Sequence, residues 1–191
     1  MSRCKIITPR LTLSAFRECD FDALMGIFKS DVVKATYMVP NLETREAEIK
    51  LFESLRNLSL REDRFVFGIY LNGELIGLIN DCEINNKCIE MGYALHPDYH
   101  NRGFATEAFG AAISHLFSQG FEEIIAGAFE ENAASMRVME KCGMNPELFE
   151  TYLMLHKYGA PPHGGLGIGL ERLTMHLLGA KNVRETTMFP R

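Results

Sequence analysis

Apolar and polar positions alternate most regularly between residues 64 and 96, in the runs RFVFGIYL, ELIGLINDCEI and KCIEMGYALH. Alternation with period two puts successive side chains on opposite faces of an extended chain, so each run predicts a strand. The runs are joined by Asn72-Gly73 and by Asn85-Asn86. Asn and Gly accept the positive φ that a two-residue hairpin demands, which predicts an antiparallel meander of three strands. Upstream, Lys5–Phe16 alternates from Leu11 onward and predicts a first strand. Asp20 stands where a cap would precede FDALMGIFKS, whose Phe21, Leu24, Met25 and Phe28 recur at helical spacing. A second helix is expected from about Glu43 to Leu60, with Ile49, Phe52, Leu55 and Leu58 as its apolar stripe.

Beyond the meander the period changes. In PDYHNRGFATEAFGAAISHLFSQG the residues Ala105, Ala108, Phe109, Ala112, Ile113 and Leu116 fall on one helical face, and Gly120 supplies a stop. EEIIAGAF then predicts a strand, and Asn132 a cap for the helix AASMRVMEKC, ended by Gly143. The order β, α, α, β, β, β, α, β, α describes an α/β (α+β) sandwich: a mixed, mostly antiparallel sheet flanked by helices. The texture changes once, near Met144–Pro146, which divides the chain into 1–144 and 145–191. The second part predicts a helix in PELFETYLMLHKY, a glycine-rich stretch GAPPHGGLGIGL and a short amphipathic helix ERLTMHLLG.

Composition narrows the classes. Residues 1–144 carry 15 basic and 21 acidic side chains, net −6, and residues 145–191 carry 5 and 4, net +1. Neither part has the basic excess of a non-specific nucleic-acid binder, so nucleic acid is not expected as a partner. No apolar run approaches the roughly 20 residues that span a bilayer, and MSRCKIITPRL is not built like a secretory signal. No membrane association is expected, and the cytoplasm is the expected compartment. The five cysteines (Cys4, Cys19, Cys82, Cys88, Cys142) lack zinc-site spacing and are expected as free thiols, although Cys82 and Cys88 flank one hairpin. The six histidines show no HExxH pattern, so no metal is expected.

The candidate chemistry begins where the third meander strand meets the helix, in His100-Asn101-Arg102-Gly103-Phe104-Ala105-Thr106. A tight turn centred on glycine exposes successive backbone N–H groups, and the helix start adds its positive dipole end, a combination that suits a pyrophosphate. It is not a P-loop, since no Gly-Lys-Ser/Thr follows. By itself Gly-x-Ala at a helix start is also a plain structural turn.

The run GYALHPDYHNRGFATEAFGAAISHL, followed by NAASMRVMEKCGM, closely resembles the two signature regions of the GNAT superfamily of N-acetyltransferases. The resemblance implies that His100-x-x-Gly103-x-Ala105 takes the place of the family's Gln/Arg-x-x-Gly-x-Gly/Ala turn around the coenzyme A pyrophosphate. His100 departs from the usual Gln or Arg. It further implies that Asn132 faces the pantetheine arm and that Ala94 and Leu95, at the strand end, belong to the coenzyme site. TPRLTLSAFRECDFDAL and Asn132-x-x-Ser135 are most similar to the ribosomal-protein N-terminal acetyltransferase subgroup. GNAT domains normally add two strands after the helix that ends here at Gly143. Their loss would leave an open sheet edge, which GGLGIGL could cover.

Acyl transfer to an amine needs a base for the ammonium proton and an acid for the leaving thiolate. Glu90 shares a strand face with the small residues Gly92 and Ala94, which leave room for a substrate, and is the candidate base; a solvated strand carboxylate is the plain alternative. Many family members use a tyrosine acid where this chain has Met139. The subgroup resemblance points instead to Ser135, whose plain alternative is a polar residue in a first helical turn; water could also return the proton. The expected partners are acetyl-CoA and an amine acceptor, either a protein N-terminus or a small molecule, with a homodimer left open.

The tail resembles the C-terminal end of class II aspartyl- and asparaginyl-tRNA synthetases, with their motif 3 as Gly167-x-Gly169-x-Glu171-Arg172. In that family the arginine stacks on the ATP adenine. No motif 2 accompanies it. Two alternatives to an acetyltransferase therefore stand: a synthetase-related fragment, and a coenzyme A-binding module without catalysis.

Overall fold

The computed structural model describes residues 5–129 and 132–145. The tail expectations, including the motif 3 residues and the GGLGIGL strand, lie outside the described residues. The described part is an α/β sandwich on one six-stranded sheet, in the order β1-β2-β3-β4-β5-β6. The expected first strand is two. β1 (Ile6–Ile7) folds back on β2 (Leu11–Ser14), pairing Ile6 with Leu13. Pro9 between them has no N–H to give a ladder, which is why one continuous strand does not form.

Helices α1 (Phe21–Lys29), α2 (Asp31–Thr36) and α3 (Arg45–Ser59) follow. α2 was not expected: at six residues with only Val33 buried, it has no apolar stripe to read. α3 starts two residues later than its pattern suggests, because the Thr44 hydroxyl caps it by accepting the Ala47 N–H at 3.2 Å.

The meander is β3 (Val66–Leu71), β4 (Glu74–Asn85) and β5 (Cys88–Leu95). Asn72 and Gly73 both have positive φ, 51° and 87°, as a type I′ turn requires. The second turn is shifted by one residue: Asn85 pairs with Cys88, so the loop is Asn86-Lys87, with Asn86 at φ 54°. The β4–β5 register slips between Asp81 and Glu83, which makes Cys82 a bulge residue. Buried Asp81 anchors that bulge by accepting the Phe65 N–H at 3.0 Å and the Arg64 Nε at 2.5 Å.

Helix α4 (Phe104–Ser118) crosses to β6 (Glu123–Ala126), which pairs in parallel with β5, and α5 (Ala133–Lys141) completes the described unit. β6 stops three residues short of the expected Phe129 and is the outer strand among the described residues. Among the described residues Cys19, Cys82, Cys88 and Cys142 form no disulfide.

The sheet separates two apolar layers. One holds Phe104, Ala108, Phe109, Ala112 and Leu116 of α4 against Leu13, Ile69, Ile89, Met91 and Leu95. The other packs Leu24, Ile27 and Phe28 of α1 and Phe52 of α3 against Val66, Leu78 and Ala94. Phe109 is fully buried and meets the Tyr93 ring at 5.1 Å between centroids. Phe109→Ala is expected to cost about 3–5 kcal/mol, read as a lower denaturation midpoint with an unchanged slope.

A polar node ties the first turn to the sheet. Buried Asp20 accepts the Arg17 backbone N–H and guanidinium, each at 2.7 Å, and the Tyr70 hydroxyl at 2.6 Å. Burial raises the Asp20 carboxyl, but the Arg17 and Tyr70 hydrogen bonds outweigh it and hold the group below its ordinary value. The stabilisation is therefore full above the unfolded carboxyl value of about 3.9 and is lost as pH falls through the lower folded one. Asp20→Asn is expected to lower stability at neutral pH and flatten its fall below about pH 4; an undiminished acid slope in denaturation at stepped pH would rule this out.

Candidate active site

The site is set by where a ladder ends. β5 and β6 pair from Cys88↔Glu123 to Met91↔Ala126, yet β5 continues through Leu95. On its other side β5 stays paired with β4, from Asn80↔Gly92 to Gly77↔Leu95. The His96 N–H donates to the Ile76 carbonyl at 2.8 Å. By the alternation of an antiparallel ladder, Ala94 and Gly92 also turn their backbone groups to β4. Tyr93 and Leu95 then turn theirs to the side where β6 has ended. The result is a cleft edged by backbone donors and acceptors.

At the cleft's end the chain makes a short 3₁₀ turn, Pro97–Tyr99, and enters α4. The His100 ring nitrogen Nε2 lies 2.9 Å from the Leu95 carbonyl and ties the turn to the strand end. Asn101 and Gly103 have positive φ, 57° and 78°. Gly103 is the N-cap and offers no side-chain oxygen. The first helical bond of the turn is Glu107 N–H to the Gly103 carbonyl at 3.1 Å. The N–H groups of Phe104, Ala105 and Thr106 therefore have no intrahelical acceptor.

The side chains of this stretch have other work. Phe104 is buried in the core beneath the guanidinium of Arg10, 4.5 Å from its ring centroid, with that of Arg102 at 5.3 Å. Ala94 and Leu95 are buried, Ala105 is half-buried, and the Thr106 carbonyl faces the Cys142 thiol at 3.6 Å. Whatever this segment offers a ligand comes mainly from its backbone.

Glu90 lies just before the ladder ends, paired with Ile125 on one side and directly opposite Glu83 on the other. It is half-buried and shares its face with Gly92 and Ala94. A Cβ placed on Gly92 would lie 3.2 Å from the Cys82 sulfur and 3.6 Å from the Tyr37 hydroxyl, so the glycine leaves a gap beneath both. Tyr37 donates to the Asn80 side-chain oxygen at 2.6 Å. Burial, reinforced by Cys82 and opposed by Asn80, pushes its hydroxyl up to about 12, so it stays a donor. Sequence patterns gave no sign of Tyr37, which leaves an irregular loop, or of Asn80, which sits inside a strand.

Ser135 belongs to the opposite layer. Asn132 caps α5 by accepting the Ser135 N–H at 3.0 Å, and the Ser135 hydroxyl meets the Tyr93 hydroxyl at 2.7 Å. Burial raises the Tyr93 hydroxyl above its ordinary value. Tyr93, which no sequence motif singles out, thus places a second protic group beside the cleft. Among the described residues no His, Cys, Asp and Glu gather as metal ligands, and no helix is long and apolar enough to cross a membrane.

Known proteins resemble this chain in two ways. Parts of the chain match tRNA ligases. The aspartate–tRNA(Asp) ligase of Picrophilus torridus is 69% identical over 49 residues, 26% of this chain and 12% of that protein. The aspartate–tRNA(Asp/Asn) ligase of Methanopyrus kandleri is 49% identical over 94 residues, 47% of this chain and 22% of the ligase. The chain thus spans under a quarter of either ligase. The solved structures give the other likeness. A GNAT-family acetyltransferase from Bacillus anthracis superposes with a TM-score of 0.62 at 28% identity, covering 74% of this chain and 84% of its own. RimL, a ribosomal L7/L12 alpha-N-protein acetyltransferase solved with coenzyme A, shares the fold with a TM-score of 0.63 at 20% identity, over 73% and 82% of the two chains. The family model "Acetyltransferase (GNAT) domain" matches residues 10–145, the whole span that builds the cleft. The chain belongs to the GNAT acetyltransferase family.

Proposed function

We propose that the chain moves an acetyl group from acetyl-CoA to a primary amine, on a protein N-terminus or a small molecule, by direct attack. One coincidence carries this reading. The cleft opened where β6 leaves β5 runs to a helix start whose N–H groups are uncapped behind Gly103. An extended amide chain can pair with the Tyr93 and Leu95 backbone as a strand would. The pyrophosphate joined to it then meets the N–H groups of residues 103–106 and the helix dipole.

The acceptor approaches from the Glu90 face. Glu83 and Glu90 stand directly opposite each other, an arrangement that repels when empty and is relieved by a cation such as an ammonium group. In the reaction Glu90, directly or through a water, takes a proton from the ammonium. The amine nitrogen then bonds to the thioester carbon, the C–S bond breaks, and the thiolate takes a proton. Ser135, with Tyr93 hydrogen-bonded behind it, supplies that proton from the other face and is re-protonated by the second proton that the acylated nitrogen must lose. Asn132 contributes by fixing Ser135 through the cap.

The tail is best read as synthetase-derived, with its boundary near Met144–Pro146 and no ligase chemistry of its own. A motif 3 brings Arg172 for an adenine but nothing for the α-phosphate, and adenylate formation needs both.

Calorimetry is expected to give micromolar affinity for acetyl-CoA, about −8 kcal/mol. Gly103→Val should abolish it, because a branched residue opposes φ 78° and its side chain would press on the Arg10 guanidinium and displace the turn. Unaltered binding by that variant would sink the coenzyme assignment. Glu90→Gln is expected to slow turnover by roughly 10²-fold with coenzyme binding intact. A wild-type rate between pH 6 and 9, tested on a working amine, would return Glu90 to a structural role.

A further inference from the structure

We infer that Arg10, in the β1–β2 connection, is a positioning residue for the pyrophosphate turn; this rests on the coenzyme reading above. Its guanidinium is placed by two hydrogen bonds to α4 and its approach. Nε donates to Glu107 Oε2 at 2.6 Å, and Nη1 donates to the Arg102 carbonyl at 3.0 Å. The third nitrogen, Nη2, would lie 3.4 Å from a Cβ on Gly103, so the charge sits directly over the glycine.

Two consequences follow from that geometry. The Arg102–Gly103 peptide is trans, so its C=O and N–H point in opposite directions. Holding the Arg102 oxygen on the Arg10 side therefore aims the Gly103 N–H away from it, as an anion-binding turn needs. The second consequence is electrostatic. Glu107 is an acidic residue in the first turn of α4, close to where a pyrophosphate would bind, and would repel it. Its carboxylate is instead saturated: the Thr8 hydroxyl at 2.6 Å and the Arg10 N–H at 2.9 Å donate to Oε1, and the Arg10 guanidinium donates to Oε2. Burial raises the Glu107 carboxyl, but these donors outweigh it and keep it charged and paired. In a domain with net charge −6 over residues 1–144, an anionic coenzyme depends on such local compensation.

The test compares coenzyme A with pantetheine, which has the same arm but no pyrophosphate, by calorimetric competition on the full chain. Arg10→Gln is expected to weaken coenzyme A by about ten-fold or more, the size of one or two charge-assisted hydrogen bonds. Pantetheine affinity should change less than about two-fold, within the spread of a neutral surface change. A loss shared equally by both ligands, or no loss of coenzyme A, overturns the proposal. If Arg10→Gln does not fold, Arg10→Lys decides. Lysine keeps the charge beside Glu107 but cannot also hold the Arg102 carbonyl, so a selective loss of coenzyme A is again expected and unchanged affinity again refutes. Wild-type protein that binds pantetheine but not coenzyme A would overturn the coenzyme reading itself, a different outcome from either of these.

Discussion

The separation of β6 from β5 after Met91↔Ala126 is the constraint on which the site depends. A sheet normally satisfies both sides of every interior strand, and unpaired backbone groups are costly unless water or a ligand meets them. Here β5 keeps β4 along its whole length and loses β6 for its last four residues. The remaining architecture serves that opening. The β4 bulge at Cys82, anchored by Asp81, bends the neighbouring strand beside it. The turn after β5 is tied to the strand end by His100, so the helix start cannot drift from the cleft.

Much of this was legible in the sequence because the signals are local. Asn72-Gly73 gave the hairpin, Asn132 gave a cap that forms as expected, and Gly103 gave the turn with positive φ. The face shared by Glu90, Gly92 and Ala94 follows from period two alone. The errors share a cause as well. The Lys5–Phe16 strand and the Asn85-Asn86 turn rest on pattern, whereas the observed breaks depend on which N–H groups a partner strand demands. α2 escaped because a single buried Val33 makes no periodic signal. Tyr37 over Gly92, and Tyr93 against Ser135, join residues far apart in sequence, and no local rule reaches across 42 positions.

Arg10 belongs to the same class of non-local information. In the sequence it is a basic residue beside a proline; in the fold it lies over Gly103, at the start of α4, and beside Glu107. The break that Pro9 makes between β1 and β2 is what brings Thr8 and Arg10 together on Glu107. The feature that defeated the single-strand reading is therefore the one that carries charge compensation to the helix start.

The alternation of one strand also divides the chemistry. On β5, Glu90 and Gly92 face the layer of α1, α2 and α3, while Tyr93 faces the layer of α4 and α5. A base and an acid on opposite faces of a closed sheet could not act on one substrate. They can do so only where the neighbouring strand is missing, because there the reacting atoms can lie in the plane of the sheet. In the proposed reaction, removal of the ammonium proton and protonation of the thiolate would then occur on opposite sides of the same carbon. Under that proposal the open ladder would supply both the binding edge for an extended amide arm and the passage that joins the two halves of the proton traffic.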